Sequence, residues 1–215
     1  ESHGTRTNGD VEALRAEAGI FGKINNGSWK LKTYYYDSER GVPGAVTKNN
    51  DIFSSRQWDK NFFVQGSFEK EISPKYKFLL SSKFADDYTH YYNDNPGGTP
   101  LLIDNTYKQQ EIYISTAHQY SPYKFWKINL SADYQYNALD ANLRQFAYPE
   151  RQTELVALAS QFDFKKVKIQ GSVLGTFVQE KIENSVFSMP QNRSEFTPTV
   201  FVSYQPFDSE FKVHG

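Results

Sequence analysis

Polar and apolar side chains alternate with a period of two along much of the chain, most clearly over residues 126–137. The apolar positions there are Trp126, Ile128, Leu130, Ala132, Tyr134 and Tyr136, and the polar ones are Lys127, Asn129, Ser131, Asp133, Gln135 and Asn137. Successive side chains of a β-strand point to opposite faces, so this pattern predicts a strand with one apolar and one polar face. The same split recurs over 14–23 and 167–177, and no helical stripe of comparable length competes with it.

The pattern predicts nine strands, with a tenth beginning at Phe211. Their approximate ranges are 10–24, 28–38, 56–72, 76–92, 107–120, 125–139, 151–164, 167–182 and 195–206. Several exceed the roughly 3 to 10 residues usual for strands of soluble proteins. A membrane strand needs roughly 9 to 11 residues to cross the bilayer, and extra length can project beyond it.

Short and long connections alternate between these strands. The segments 25–27, 73–75, 121–124, 165–166 and 207–210 have the composition of tight turns, whereas 40–55, 93–106, 140–150 and 183–194 are long, polar loops. This asymmetry is typical of up-and-down outer-membrane barrels, whose periplasmic turns are short and whose extracellular loops are long. The predicted fold class is therefore all-β, an antiparallel up-and-down transmembrane β-barrel, present here as nine to ten strands of a larger barrel.

Aromatic residues stand near both ends of the predicted strands. Trp29, Tyr76 and Trp126 each follow a short turn, and tyrosines occur toward the other ends: Tyr34, Tyr35, Tyr36, Tyr88, Tyr91, Tyr92, Tyr134 and Tyr136. Trp and Tyr collect at the two interfaces between water and lipid. A tilted strand climbs roughly 25 Å between Trp126 and Tyr136, which equals the height of a barrel's apolar band. A soluble β-barrel or a surface β-rich binding or structural module remains the alternative, with its apolar face turned inward.

The composition excludes several kinds of function and structure. Lys plus Arg number 24 against 25 Asp plus Glu, so the chain lacks the basic surface that nucleic-acid binding needs. With no Cys, neither a disulfide nor a thiolate site is available. No apolar run approaches the roughly 20 residues of a membrane helix. Neither Met nor a signal segment opens the chain, so we expect a piece of a longer protein.

Enzyme and metal motifs are not found in the sequence. The four histidines, His3, His90, His118 and His214, have no metal-ligand spacing. Asp94, Asn95 and Asp104 could offer oxygen ligands to Ca²⁺ but miss the spacing of a calcium loop, and Asp86-Asp87 is better explained as a polar strand end. We expect no catalytic residue, no metal site and no cofactor.

Three segments resemble TonB-dependent outer-membrane receptors of the Bacteroidetes. They are YDSERGVPGAV at 36–46, RQWDKNFFVQG at 56–66 and GSVLGTFVQE at 171–180. Within that family the chain looks most like receptors named for cobalamin uptake, with siderophore receptors next. The resemblance implies a barrel of about 22 strands plugged by an N-terminal domain. Residues 1–215 would form less than half of that barrel domain, and the plug and the C-terminal strand would be absent.

The resemblance also implies location and partners. The expected location is the outer membrane of the cell, and the expected function is uptake of a scarce nutrient such as cobalamin or a ferric siderophore. The expected partners are outer-membrane lipid, the nutrient and TonB, which would act through the missing plug segment; a surface lipoprotein is a further candidate.

A ligand site is predicted where the loop around 40–55 meets two strand ends. Charged and aromatic side chains occur together between Ser38 and Lys60, beside Tyr36 and Phe53, which suits a polar ligand with apolar faces. The predicted ligand-binding residues are Glu39, Arg40, Arg56, Trp58 and Asp59. The alternative is that these groups pair with one another or belong to the interfacial aromatic girdle.

Overall fold

The structure, a computed structural model, describes residues 8–43, 54–94, 102–183, 189–205 and 213–214, which form one antiparallel sheet. Its strands are β1 (Val11–Ile24), β2 (Gly27–Gly41), β3 (Arg56–Ser73), β4 (Tyr76–Asn93), β5 (Ile103–Tyr123), β6 (Trp126–Ala141), β7 (Glu150–Asp163), β8 (Val167–Lys181), β9 (Arg193–Tyr204) and β10 (Val213–His214). Their order in the sheet is their order in the chain. The predicted all-β, up-and-down architecture is confirmed. No helix of the described segments is long and apolar enough to span a bilayer.

Short and long connections lie at opposite ends of the sheet, as predicted. Each strand pair described is antiparallel. The tight turns therefore lie at one end of the strands, which we call the turn end. The long connections lie at the other end, which we call the loop end. The predicted turn at 207–210, Phe211 and parts of three long loops, at 44–53, 95–101 and 184–188, lie outside the described residues.

The first turn shows why its sequence is suited to a hairpin. Asn26 adopts a positive φ of 56°, a conformation that Asn tolerates better than most residues. A Cβ atom at Gly27 would lie 2.4 Å from the backbone oxygen of Glu69 on β3, so only glycine allows the neighbouring strand to approach this closely.

The fifth strand is longer than predicted. β5 begins at Ile103 rather than at 107, and Ser121 to Tyr123 extend it instead of forming the turn. The turn consists of Lys124 and Phe125, and the β5–β6 register shifts between Tyr120 and Tyr123. Pro122 lies in that irregular stretch, where a missing backbone N–H does not interrupt a regular ladder.

Each hairpin is displaced along the strand direction relative to the preceding hairpin at the turn end. A backbone N–H of each later hairpin donates to a carbonyl in the preceding turn: Glu71 to Asn26 at 2.7 Å, Ser121 to Lys75 at 2.7 Å, Asp163 to Phe125 at 2.8 Å and Gln205 to Lys166 at 2.8 Å. A regular stagger in one direction tilts the strands, and tilt with stagger is the geometry that closes a sheet into a barrel.

One face of the sheet is apolar and lies uncovered. Side chains directly opposite in the register share a face, so Leu130 stands beside His118 on β5 and Leu158 on β7. Leu130 is 44% exposed and Leu158 is 47% exposed. In the described part of the chain no large side chain is fully buried. The sheet thus has no hydrophobic core of its own.

Aromatic rings border the apolar face at the turn end. Trp126 stacks on Phe162, with ring centroids 5.5 Å apart, and its indole N–H donates to the Ser160 hydroxyl at 2.9 Å. Neighbouring rings extend this cluster through Tyr123, Phe125 and Phe164. His118 lies among these apolar positions with Nδ1 2.7 Å from the Tyr76 hydroxyl, so its polar ring has a partner.

A new charge should weaken folding into the bilayer far more on the apolar face than on the polar face. In the full-length parent protein, Leu130→Arg should weaken folding into lipid bilayers by roughly 2 to 4 kcal/mol, because Leu130 lies near the middle of the apolar face. Asn129→Arg, one residue away on the polar face, should cost much less. Folding into vesicles under denaturant titration measures both, and equal penalties would contradict the assignment of the faces.

Candidate functional site

The five predicted ligand residues all lie at the loop end, but on two faces of the sheet. The register places Glu39 opposite Trp58 and Arg40 opposite Gln57. Side chains alternate along each strand, so Glu39, Arg56 and Trp58 share the face that bears the apolar side chains, and Arg40 and Asp59 share the polar face. The structure therefore forms two clusters from these residues rather than one.

Arg56 organises the first cluster, beyond the apolar positions of that face. Its guanidinium donates to both carboxylate oxygens of Asp10, at 2.8 and 2.9 Å, and to Glu39 Oε1 at 2.7 and 3.1 Å. These bonds connect β3 to β2 and to the residue preceding β1. The Arg56 guanidinium lowers the pKa of the Asp10 carboxyl, and a backbone hydrogen bond adds to the effect.

Trp58 continues this cluster toward β5. Its ring stacks on His90, with centroids 4.8 Å apart and planes 21° apart, and His90 Nε2 lies 2.7 Å from Asp104 Oδ1. An aromatic stack beyond the apolar positions agrees with the alternative interpretation of these residues, in which they belong to the interfacial aromatic girdle and not to a ligand site.

Asp59 organises the second cluster, on the polar face. It accepts hydrogen bonds from Gln57 Nε2 at 3.0 and 3.1 Å and from the Thr89 hydroxyl at 2.9 Å, and Arg40 lies 3.3 Å away. Ser38 stands directly opposite Asp59 on β2. We call Ser38, Arg40, Gln57, Asp59 and Thr89 the Arg40 patch.

The Arg40 patch holds one buried hydroxyl with no assigned role. Ser38 is 4% exposed, and its Oγ has no hydrogen-bond partner among the described residues. Ser38, Gln57 and Thr89 were not among the residues predicted from the sequence. The alternation of faces pointed to Gln57, two residues before Asp59, whereas finding Thr89 requires the β3–β4 register.

Other candidate groups are separated by the fold. Asp86 accepts from Gln110 on one face and Asp87 from Asn61 on the other, so the two do not form an acid-base pair. Asp104 is bonded to His90, and Asp94 accepts from Ser54; Asn95 and Phe53 lie outside the described residues. Over 8–43, 54–94, 102–183, 189–205 and 213–214, no group of acidic or histidine side chains is arranged to hold a metal ion.

Comparison with known proteins gives matches to solved structures. No protein-family model and no curated protein matches the chain. The crystal structure of the ferric preacinetobactin receptor BauA from Acinetobacter baumannii aligns over 92% of this chain, with a TM-score of 0.69 and 11% identity. The unliganded ferric citrate transporter FecA aligns over 95%, with a TM-score of 0.64 and 11% identity. The copper transporter OprC aligns over 95%, with a TM-score of 0.65 and 11% identity.

These matches concern the fold. The chain spans only 38%, 35% and 36% of the lengths of the three solved structures. At 11% identity, the agreement shows that the sheet has the strand arrangement of those transport proteins. The predicted membrane-barrel fold is thereby confirmed.

The Asp10–Arg56 contact predicts a titration behaviour. Arg56→Gln should raise the pKa of Asp10 toward its ordinary value of 3.8, because the guanidinium bonds are lost. A carboxyl whose folded pKa is lowered stabilises the fold above its unfolded pKa, and this contribution disappears as the pH falls through the folded pKa. The pair should therefore persist at pH 7 and be lost in acid.

The measurement is a ¹³C-carboxyl NMR titration of the full-length parent in detergent. Arg40→Gln is the matched control, since Arg40 lies on the opposite face and should leave the Asp10 titration unchanged. An Asp10 pKa that is unaltered by Arg56→Gln would show that the contact does not form.

Proposed function

We propose that this chain is part of the barrel of an outer-membrane receptor that acts with TonB to import a scarce nutrient. One observation carries the proposal: a single sheet of up-and-down strands keeps a continuous apolar face uncovered, with side chains such as Leu130 and Leu158 nearly half exposed. In lipid such a face is solvated by acyl chains, whereas in water it would require a second layer.

The solved structures support this proposal through their fold and their printed names. They include receptors or transporters for ferric preacinetobactin, ferric citrate and copper, and a siderophore receptor, PiuA, matched with a TM-score of 0.54. The resemblance of segments 36–46, 56–66 and 171–180 to receptors of the Bacteroidetes agrees with them. The proposed cargo is cobalamin or a ferric siderophore.

The remaining parts of the proposed receptor belong to its parent protein. The chain matches well under half of each solved structure, so the other strands, the plug and the segment that meets TonB are assigned to the rest of the parent. Outer-membrane lipid contacts the apolar face in this proposal, and a surface lipoprotein is a further proposed partner at the loop end.

The alternative of a soluble β-barrel or surface module explains the sheet less well. A soluble barrel turns its apolar side chains inward and its charges outward. Here the polar face carries a row of ion pairs, including Lys32 with Glu17 at 2.9 Å and Lys83 with Glu111 at 3.0 Å. Such charges suit a water-filled interior in contact with a plug.

Within the proposed receptor, the two loop-end clusters have different roles. Arg40 and Asp59 lie on the polar face, which lines the interior, and remain candidates for contact with the nutrient. Glu39, Arg56 and Trp58 face outward above the apolar positions, where they contact one another and neighbouring residues. We assign these three to the outer rim of the barrel rather than to the ligand site.

The function is tested in the full-length parent with labelled cyanocobalamin and labelled ferric siderophores. One of these ligands should bind the purified receptor, and its uptake by cells should stop when TonB is removed. Arg40→Ala should weaken binding by about tenfold or more, because a charged hydrogen bond is lost. Trp58→Ala, on the outward face at the same end, should leave binding within about twofold.

Uptake that is unaffected by loss of TonB would contradict the proposed function. Binding that falls equally with Arg40→Ala and Trp58→Ala would contradict the separation of roles. Heat resistance of the folded barrel, followed by electrophoretic mobility, provides the control for assembly in both variants.

A further inference from the structure

Three successive turns at the turn end carry lysine. Lys75 lies in the β3–β4 turn, Lys124 in the β5–β6 turn, and Lys165 and Lys166 in the β7–β8 connection. Neighbouring strands are roughly 4.8 Å apart, so turns two strands apart are separated by roughly 10 Å and the three turns by roughly 20 Å in all. The border of the sheet therefore bears a row of positive charge.

Lys70 adds to this row from the apolar face. It lies opposite Phe78, and this line of apolar-face positions continues through His118 to Leu130. A lysine buries its aliphatic stem against apolar surface and carries its ammonium toward the polar border. Because the β3–β4 turn follows closely in the chain, the Lys70 ammonium can extend toward the turn lysines.

These lysines have no carboxylate beside them on the apolar face. The apolar-face positions in the turn-end half of the described strands contain no Asp or Glu. Lys75, Lys124 and Lys165 are exposed, and together with Lys70 they form no ion pair within the described segments. On the polar face at the same end, by contrast, two lysines are paired: Lys77 lies 3.8 Å from Glu71, and Lys168 lies 3.3 Å from Asp163.

The loop end of the apolar face has the opposite charge. Carboxylates occupy eight apolar-face positions in the loop-end half of the described strands: Glu12, Asp37, Glu39, Asp86, Asp104, Asp140, Glu150 and Glu154. Lysine and arginine occupy only four there: Arg56, Lys60, Lys108 and Lys181. The apolar face is thus bordered by positive charge at one end and by net negative charge at the other.

Aromatic rings place the turn-end lysines at the level of lipid headgroups. The rings of Tyr123, Phe125 and Phe164, next to Lys124 and Lys165 in the chain, stack with centroids 5.4 and 5.8 Å apart. Aromatic side chains mark the interface between lipid and water, where basic side chains attract anionic headgroups. One small anion cannot contact ammonium groups separated by roughly 10 Å, whereas a layer of headgroups can contact all of them.

We propose that the turn end of the apolar face binds the phosphate groups of anionic phospholipids through Lys70, Lys75, Lys124 and Lys165. This inference rests on the proposed receptor function, because that function places the apolar face in lipid. It adds the class of lipid and the end of the barrel at which that lipid is bound. The loop end, with its excess of carboxylates, does not attract the same headgroups.

The test places the full-length parent in bilayers of phosphatidylcholine that contain a trace of spin-labelled lipid. Electron paramagnetic resonance separates lipid held at the protein surface from free lipid. Labelled phosphatidylglycerol should be enriched at that surface about twofold or more over labelled phosphatidylcholine, and high salt should reduce the enrichment.

Two sets of substitutions show whether the four lysines are responsible. The enrichment should disappear when all four are changed to Gln and should persist when all four are changed to Arg, which keeps the charge. The first set is Lys70→Gln, Lys75→Gln, Lys124→Gln and Lys165→Gln.

The control removes the same charge from the polar face at the same end. It combines Lys23→Gln, Lys30→Gln, Lys77→Gln and Lys127→Gln, all at polar-face positions. The enrichment should be unchanged in this variant, because these side chains do not meet lipid. Heat resistance of the folded barrel confirms assembly of each variant. If the first set prevents assembly, Lys124→Gln with Lys165→Gln, both in exposed connections, should lower the enrichment, and no decrease would contradict the inference.

The outcomes separate this inference from the proposed function. Surface-held lipid with no preference for phosphatidylglycerol would overturn the inference and leave the receptor function intact. A preference that both Gln sets reduce equally would also overturn it, because long-range charge alone would then explain the effect. If no lipid is held at the surface of the protein, the apolar face does not meet a bilayer, and the inference and the receptor function both fail.

Discussion

Pairing of every backbone N–H and C=O is the constraint on which the rest of this structure depends. A bilayer offers no water to an unpaired peptide group, so strands can cross it only side by side in a continuous hydrogen-bonded sheet. The strands meet this demand with long antiparallel ladders, and the bonds from Glu71, Ser121, Asp163 and Gln205 to the preceding turns connect one hairpin to the next. The stagger set by these bonds gives the sheet the tilt of a barrel.

As a consequence, the kind of side chain present depends on the face of the sheet and on the position along the strand. Apolar side chains occupy the middle of one face, so charge on that face is confined toward the ends, as at Arg56 and Lys60. The other face carries ion pairs along its length, from Lys168 with Asp163 near the turn end to Arg40 with Asp59 near the loop end. In the middle of the sheet, polar side chains are therefore concentrated on the polar face.

Much of this arrangement could be predicted from the sequence. The alternation of polar and apolar side chains predicted the face of each residue in β6, and the alternation of short and long connections predicted the strand order and the placement of turns and loops. Trp58 and Asp59 are consecutive and so point to opposite faces, although both were predicted to belong to one site. The pairing of Arg40 with Asp59 could not be predicted, because a tight turn fixes register whereas the long connection between β2 and β3 does not. The position of the buried Ser38 hydroxyl opposite Asp59 depends on that same register, and the extension of β5 depends on the irregular pairing near Pro122.

The claim that the apolar face meets lipid is tested most directly by spin-label accessibility along β6. The chain contains no Cys, so single cysteines can be introduced at consecutive positions from Ile128 to Asp133 of the full-length parent in bilayers. Labels at 128, 130 and 132 should relax with dissolved oxygen, which concentrates in lipid, and labels at 129, 131 and 133 with a water-soluble nickel chelate. The opposite alternation, or none, would contradict the account.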